Sequence, residues 1–393
     1  MSDPFRKAEM AVWDAITSLK LTIACLAALM VLVVACTLAQ VNLGTLAAVS
    51  TYMRSPFVWW QVPQSTVSIP VFPGGALVGM VLAVNLLAAQ LKRLELSWKK
   101  AGLWIVHAGL ILLVAGEFVT SLYQVDDRLA IEEGQTANFV ESAREAELSV
   151  VDTTDAAVDD VYGIPTTRLA RGGDVPIAGT PLTIRVRRFL PNAAVSRGGA
   201  PSGATMGVGA SVSVQALPVS TVDDIPNEPA AVIEPMAGGR SYGAWLVSPL
   251  LGAPQSFVHE GRTYVLSLRQ RREYLPYAIT LKKFRHDVYP GTDIPKNFSS
   301  LVHISNPGRS EERDVLIYMN QPLRYEGKTF YQASFGKNDT LSVLQVVANP
   351  GWLLPYISCV LVTGGLLVHF AVSLRRGMRR TDEAAAVPAA LEA

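Results

Sequence analysis

The sequence predicts a membrane protein, in which a four-helix transmembrane bundle is joined to a mainly β, sandwich-like extracytoplasmic domain. Of its 393 residues, 50% are hydrophobic and only 17% are charged, which is unusual for a soluble protein. Four apolar stretches each have about 20 residues, the length of helix that crosses a hydrocarbon core. Between the third and fourth stretches, residues 124–350 contain segments with the alternating pattern of half-buried strands.

The four apolar stretches predict transmembrane helices at about residues 16–38, 71–91, 101–122 and 351–374. A helix satisfies its own backbone hydrogen bonds, which lipid cannot do. The small residues before Cys36 resemble a lipoprotein processing site. However, acidic residues precede the first stretch and its apolar run continues past the cysteine, so we expect the first helix to be retained.

The distribution of lysine and arginine predicts the orientation. These residues cluster before the first stretch, between the second and third, and after the fourth, whereas the first loop holds only Arg54. By the positive-inside rule, residues 1–15 and 375–393 are cytoplasmic, and residues 124–350 lie on the outer (periplasmic) side of the inner (cell) membrane. The tail after Arg380 is rich in alanine and acidic residues and is predicted to be disordered.

The large domain is predicted to be mainly β. Residues 182–186 and 264–268 alternate between apolar and polar, and glycine-containing turn signals interrupt apolar runs at residues 259–262, 306–308 and 325–328. These spacings indicate hairpins and favour a sandwich. Two β subdomains are an alternative for which the sequence gives no boundary.

Composition and motifs exclude several functions. The net charge of +1 gives no reason to expect nucleic acid as a partner. The three cysteines lie in apolar runs without a CxxC or CxxCH motif, so neither thiol redox chemistry nor covalent haem attachment is expected on this chain. No hydrolase, metalloprotease or P-loop motif occurs in the large domain, so no catalytic residue is assigned. We expect its histidines, His259, His286 and His303, to be surface or hydrogen-bonded core residues.

Two further features lie in the second apolar stretch and in the loop before it. Asn85, in the second apolar stretch, is expected to hydrogen-bond between helices. In the first loop, Trp59 and Trp60 belong to an aromatic cluster that is expected to anchor the loop at the membrane interface. The alternative is that the cluster faces haem.

His107 and His369 are the histidines inside predicted transmembrane helices. Ionisable groups at such positions are costly and usually serve function. His107 lies roughly 10 Å beyond Lys100 along its helix, and His369 roughly 9 Å before Arg375, so both are predicted at a similar depth below the same face. Glycine at position 365, one turn from His369, is expected to leave room beside that imidazole.

Small residues near His107 and His369 favour a planar ligand beside these histidines. Alanine–glycine pairs at positions 101, 108 and 115 recur every seven residues and form a stripe that another helix can approach. If the third and fourth helices are close, one planar ligand could be held by either histidine or by both. Neutral imidazole is a common axial ligand of haem iron, and nearby cations could pair with haem propionates: Lys99, Lys100, Arg375 and Arg376. The alternative is that each histidine only hydrogen-bonds across a helix pair.

An ordered set of segments resembles the ResB-type family of system II cytochrome c biogenesis proteins. The set comprises Trp13 with residues 18–22, His107, residues 289–291 with 298–300, residues 321–327 with 330–334, residues 349–351, and His369. They extend over nearly the whole chain, in the family's order and with its topology.

The resemblance implies a role in cytochrome c maturation beside a ResC-type partner. That pair is thought to carry haem b across the membrane and present it to apocytochrome c, with His107 as an axial ligand together with a histidine of the partner. His369 is a second candidate ligand, and the alternative is that a histidine of the partner takes that position. The tryptophan-rich haem-handling segment of the partner has no counterpart here, so this chain is at most an accessory, non-catalytic subunit of the haem-ligating complex.

Two other functions stay open at this point. The chain could be a b-type transmembrane electron carrier with His107 and His369 on one iron. It could also be a non-haem membrane scaffold whose histidines are structural.

Overall fold

The computed structural model describes residues 4–62, 65, 67–92, 97–198, 201–220, 227–291, 295–337 and 339–389. The chain divides into two compact units. The first comprises Met1–Leu96, Pro191–Ala194 and Gln215–Glu228, and the second comprises Ser97–Leu190, Val195–Val214 and Pro229–Ala393.

The described part of the chain contains four helices that are long and apolar enough to cross a membrane, as the sequence predicts. They span Leu19–Leu43, Gly75–Lys92, Ala101–Tyr123 and Leu354–Arg379. In chain order the helices are α1 (Pro4–Ile16), α2 (Leu19–Leu43), α3 (Thr45–Val49), α4 (Gly75–Lys92), α5 (Ala101–Tyr123), α6 (Thr166–Leu169) and α7 (Leu354–Ala389). The sequence predicts a disordered tail after Arg380. This prediction is wrong as far as Ala389, where α7 ends, because alanine and glutamate in this segment favour continuation of the helix.

The first unit is built around α2 and α4. The Ser18 hydroxyl accepts a hydrogen bond from Lys20 N and caps the start of α2. Strands β1 (Phe57–Gln61) and β2 (Ser68–Pro73), which lie between α2 and α4 in the sequence, pair as an antiparallel hairpin. Its Val58 is buried with residues of α2 and α4, whereas Trp59 and Trp60 are about half exposed. The tryptophans are therefore available for an interface on this hairpin.

The remaining strands run from the end of α5 to the start of α7. They are β3 (Val125–Glu132), β4 (Thr136–Asp152), β5 (Asp160–Pro165), β6 (Gly173–Pro176), β7 (Leu182–Leu190), β8 (Ala193–Arg197), β9 (Val212–Ala216), β10 (Ala230–Ala237), β11 (Arg240–Ser241), β12 (Trp245–Val247), β13 (Gln255–His259), β14 (Arg262–Val288), β15 (Pro295–Asn306), β16 (Glu311–Tyr318), β17 (Leu323–Tyr325), β18 (Lys328–Gly336) and β19 (Leu341–Ala348).

Two antiparallel sheets make up most of the β domain. The larger has the strand order β16-β15-β14-β4-β3-β19-β18-β17, with β13 paired to β14 and β5 paired to β4. The smaller has the order β11-β10-β7-β6, with β12 paired to β10. The larger sheet curls until β16 contacts β17 and β18, which nearly closes it into a barrel.

Strands β4 and β14 pass through two separate hydrophobic cores. In the first core, Leu148 and Leu266 of the larger sheet pack with Ile184 and Ile233 of the smaller sheet. The second core lies inside the curled sheet and contains Phe330 among its fully buried side chains. The strand β14 has register shifts against β4 between these two cores, where an irregularity lets a long strand bend.

The mainly β prediction is confirmed, but a sandwich describes only the part of the domain around the first core. There, two sheets cover the core from opposite sides. Around the second core, a single sheet bends back on itself. A sandwich and a barrel both bury one face of each strand, so the local alternation of apolar and polar residues does not distinguish them.

Two of the predicted turns are tight hairpins. Glu260 and Gly261 have φ angles of 47° and 79°, and Glu326 and Gly327 have φ angles of 47° and 75°. Two consecutive residues with positive φ are typical of a type I′ turn, whose twist matches that of the flanking strands. These turns join β13 to β14 and β17 to β18.

Candidate functional site

Helices α5 and α7 pack closely along a row of glycines. A Cβ added at Gly102 would lie 2.6 Å from Gly365 O and 2.7 Å from His369 Cα. Further along, Gly109 O accepts a 2.5 Å hydrogen bond from the Ser358 hydroxyl of α7. The row of small residues predicted from the sequence is thus the contact surface between these two helices.

The close packing overturns the expectation that Gly365 leaves space beside the imidazole of His369. The space beside Gly365 is filled by the backbone of α5, since an added Cβ would be 2.7 Å from Val106 N and 2.8 Å from Gly102 O. Gly365 therefore permits helix contact and does not leave room beside the imidazole of His369.

His107 lies on the exposed surface of the α5–α7 pair, away from the glycine contact. Its Nδ1 is 2.6 Å from Leu103 O, one turn earlier in α5. A carbonyl oxygen only accepts, so Nδ1 carries the proton and the lone pair of Nε2 is available. Donation from one ring nitrogen fixes the orientation of the ring, which is the usual arrangement of a metal-ligating histidine.

His369 is half buried, and its backbone contacts Gly102. His107 follows Gly102 by five residues, which places it about 140° around α5 and roughly 7.5 Å along the axis from that contact. The structure therefore does not bring the two imidazoles together on one face. The ring of His369 lies 6.0 Å from that of Phe370, centroid to centroid.

The cations predicted to pair with propionates lie at the start of α5 and near the end of the apolar part of α7. Lys100, Arg375 and Arg376 have exposed side chains, at the start of α5 and in the later part of α7. The side chain of Lys99 lies outside the described residues.

The histidines of the β domain have local partners, as expected. His303 bonds to Asp314 through Nδ1 and to Glu312 through Nε2, both at 2.7 Å, and these hydrogen bonds raise its pKa above the usual value of 6.5. The Nδ1 of His259 is 2.6 Å from the hydroxyl of Tyr242.

His286 is stacked against two aromatic rings. The ring centroids of Phe298 and Phe335 lie 5.0 and 4.4 Å from that of the imidazole. Its Nδ1 is 3.2 Å from Asp339 Oδ1. No group of three or more metal-ligating side chains with suitable spacing occurs in the part of the chain that the structure describes.

Asn85 joins α4 to the start of α2, as the sequence predicts. It is fully buried; its Oδ1 accepts a 2.6 Å hydrogen bond from the Thr22 hydroxyl, and its Nδ2 donates to Ile16 O and Ser18 O at 2.5 and 3.1 Å. All the hydrogen-bonding groups of this side chain are used, so Asn85 has a structural role.

One cavity was not predicted. It has a volume of about 580 Å³ and lies where the β barrel joins α5 and α7; its walls include the β17–β18 turn, Tyr331, Gln345, and the linking residues Gln124, Asn349 and Trp352. Sequence reasoning singled out residues 321–334 and 349–351 as family segments but gave no reason to place them at one cavity. We call it the junction pocket.

Comparison with known proteins shows a family match within the β domain and similarity to named proteins over short stretches of the chain. The ResB-like family model matches residues 252–343. The protein NrfI of Wolinella succinogenes is 31% identical over 93 residues, which is 24% of this chain and 10% of that protein. Cytochrome c biogenesis proteins named CcsB from Picosynechococcus sp. and Crocosphaera subtropica are 38% and 40% identical over 60 residues, which is 15% of this chain and 13% of each relative. The chain thus matches only a small share of the length of these curated relatives.

Proposed function

Residues 252–343 match the ResB-like family model, and we propose that the chain is a ResB-type protein that acts in cytochrome c maturation as a membrane-bound subunit that handles haem. The CcsB relatives carry cytochrome c biogenesis in their names. The four apolar helices supply the membrane anchor, and we propose that they form one bundle in the inner membrane. The charge distribution supports cytoplasmic termini and a periplasmic β domain.

The observation that carries the proposal is the available Nε2 of His107 on the exposed face of the α5–α7 pair. An imidazole facing lipid at this depth is costly, so a partner or a ligand is expected to cover it. A ResC-type protein that supplies a second histidine would meet both needs, because haem iron binds two axial imidazoles.

Haem b is the cargo in this proposal and is not covalently attached. His107 holds its iron, and the exposed Lys100, Arg375 and Arg376, at one end of the two apolar helical segments, attract its propionates. The β domain docks the ResC-type partner or the apocytochrome, a role that requires no catalytic motif. His369 is a less favoured ligand, because it is half buried and its backbone packs against α5.

Copurification with a ResC-type partner tests the His107 role. We expect the wild-type complex to show a haem b absorbance spectrum, and His107→Ala to lower both bound haem and the yield of mature cytochrome c severalfold. Cys359→Ser is the matched control, because Cys359 is also exposed on a membrane helix and has no proposed ligand role. Full haem content in the His107→Ala complex would rule out the ligand role.

The variant His369→Ala separates the proposal from the electron-carrier function. If the second axial ligand comes from the partner, His369→Ala keeps the wild-type haem spectrum. A stable bis-histidine spectrum from this chain alone, lost in either histidine variant, would instead indicate a b-type electron carrier. Absence of haem from a normally assembled wild-type complex would indicate a scaffold.

A further inference from the structure

The junction pocket combines a size suited to a small ligand with a position at the end of the membrane helices. Its volume of about 580 Å³ is within the usual range for ligand sites. Gln124, on its wall, directly follows the last residue of α5, and Trp352, also on its wall, lies just before α7. A ligand in this pocket would therefore be at the level where the chain leaves the membrane.

Arg324 gives the pocket its net positive charge. Its guanidinium lies 4.1 Å from the centre of the Trp352 ring, and no carboxylate pairs with it among the described residues. The other charged groups of the wall are paired, because Lys328 bonds to Glu273 at 2.9 Å and Glu326 bonds to Arg309 at 2.7 Å. Stacking on the indole fixes the plane of the Arg324 guanidinium and leaves donors at its edge for a bidentate oxyanion.

Polar side chains next to Arg324 are already held in place. The Asn349 side chain donates to Thr120 Oγ1 at 3.2 Å, and its Oδ1 accepts from Gly351 N at 2.8 Å. Tyr331 is partly exposed on the wall, opposite Gln345 in the β18–β19 register. Because the Asn349 side chain is already ordered, this part of the wall loses little conformational entropy when a ligand binds.

The membrane side of the pocket is apolar. Trp352, Leu353 and Tyr356 are all about half exposed at the start of α7, and the Trp352 and Tyr356 rings meet edge to face at 6.1 Å. Exposed tryptophan and tyrosine at the end of a membrane helix are typical of the interface. A ligand that contacts both Arg324 and this surface must have an anionic head and an apolar body.

We propose that the junction pocket binds the oxyanion head of a membrane-associated amphiphile, with Arg324 as the residue that binds the carboxylate or phosphate. Two sources have this chemistry: a haem propionate and the phosphate of an anionic lipid. The haem source also agrees with the proposed function, but the pocket's chemistry stands independently of His107.

The test uses the full chain with the His107→Ala substitution, so that the membrane histidine does not contribute to binding. In one arm, haemin is titrated by absorbance into the chain in phosphatidylcholine nanodiscs. In the other arm, phosphatidylglycerol is added to the nanodiscs, and retained lipid is measured by native mass spectrometry. Failure of the His107 ligand role would leave both measurements unaffected.

Arg324→Gln should weaken binding of haemin, phosphatidylglycerol or both by about tenfold to a hundredfold, since a hydrogen bond to a charged group is lost. Arg324→Lys should keep part of the affinity, because it retains the charge without the planar fork. The matched control is Arg240→Gln, because Arg240 also stacks on an aromatic ring, that of Tyr242, but lies outside the pocket.

The two arms identify the source. If Arg324→Gln weakens only haemin binding, the ligand of Arg324 is a haem propionate. If it weakens only phosphatidylglycerol binding, the ligand is a lipid phosphate. Trp352→Leu, which removes the ring that holds Arg324, should weaken the same probe. The proposal is overturned if Arg324→Gln and Arg240→Gln have equal affinities for both probes, with circular dichroism spectra that show both variants folded.

Discussion

Asn85 and His107 show two ways in which a polar side chain is accommodated in an apolar helix. Asn85 is fully buried, and three partners use its amide completely. His107 uses one nitrogen within its own helix and presents the other at an exposed surface. The sequence shows that a polar side chain lies in an apolar helix, where its burial costs free energy. Only the contacts in the structure distinguish a side chain with a structural role from one that can bind a ligand.

His303 is the clearest titrating residue of the β domain. The hydrogen bonds that His303 donates, to Asp314 first and then to Glu312, raise its pKa above 6.5, and nearby Lys282 opposes this effect. Because the folded pKa is raised, the stabilisation is fully present below pH 6.5 and is lost as the pH rises through the folded value. We expect NMR of histidine-labelled protein to give a pKa above 6.5 for His303, and Glu312→Gln to lower it.

A matched control for the His303 measurement is Glu145→Gln, which removes a carboxylate that pairs with Arg271 elsewhere in the domain. This variant should leave the His303 titration unchanged. A His303 pKa at or below 6.5 in the wild-type chain would contradict the ion-pair geometry of the β15–β16 pair.

At the scale of elements, the α5–α7 pair depends on the absence of side chains at its contact. Lipid offers no hydrophobic advantage to helix association, so close packing and hydrogen bonds such as Ser358 to Gly109 O must supply the stability. Because His107 and Gly102 lie on different faces of α5, the packing of Gly102 against α7 leaves His107 on the exposed surface of the helix pair.

Gly102→Ala should destabilise the helix pair, by about 1–3 kcal/mol, because the new methyl group meets backbone atoms of α7 that cannot rotate away. Gly364→Ala is the matched control on α7: an added Cβ there has no neighbour within 4 Å, and alanine favours helix. Thermal unfolding in detergent should show a lower midpoint for Gly102→Ala only. Equal midpoints for the two variants would show that the helices are not in close contact at Gly102.

At the scale of the whole β domain, two cores share the strands β4 and β14. The first core lies between two sheets and the second lies inside a nearly closed barrel. Loss of order in either core removes the strand pairing on which the other depends. The domain should therefore unfold as one cooperative unit despite its two cores.

Leu148→Ala in the first core and Ile317→Ala in the second should each cost about 2–5 kcal/mol, because both side chains are fully buried. Calorimetry should show one β-domain transition that moves to lower temperature in both variants. Ser256→Ala, at an exposed position of β13, is a control that should leave the transition in place. Two separate transitions, of which each variant moves only one, would contradict the shared-strand argument.

The sequence by itself determined the elements whose signals are local. Twenty-residue apolar runs predicted the four long helices, period-two alternation predicted the strands, and glycine-containing turns predicted the hairpins at Gly261 and Gly327. The glycines of α5 also indicated a helix contact, because small residues at a fixed spacing act through one face of one helix. Residues 321–334 also supported the resemblance to the ResB-type family, because a sequence motif can be recognised without knowledge of the fold.

Only the tertiary structure decided which residues meet. The curl of the larger sheet, the filling of the space at Gly365 by α5, and the meeting of Arg324 with Trp352 join segments that are distant in sequence. Strand pairing, helix rotation and cavity shape depend on the simultaneous packing of many such segments, which no local window of sequence contains. For that reason His107 could be proposed as a ligand from sequence, whereas its outward face and the junction pocket required the fold.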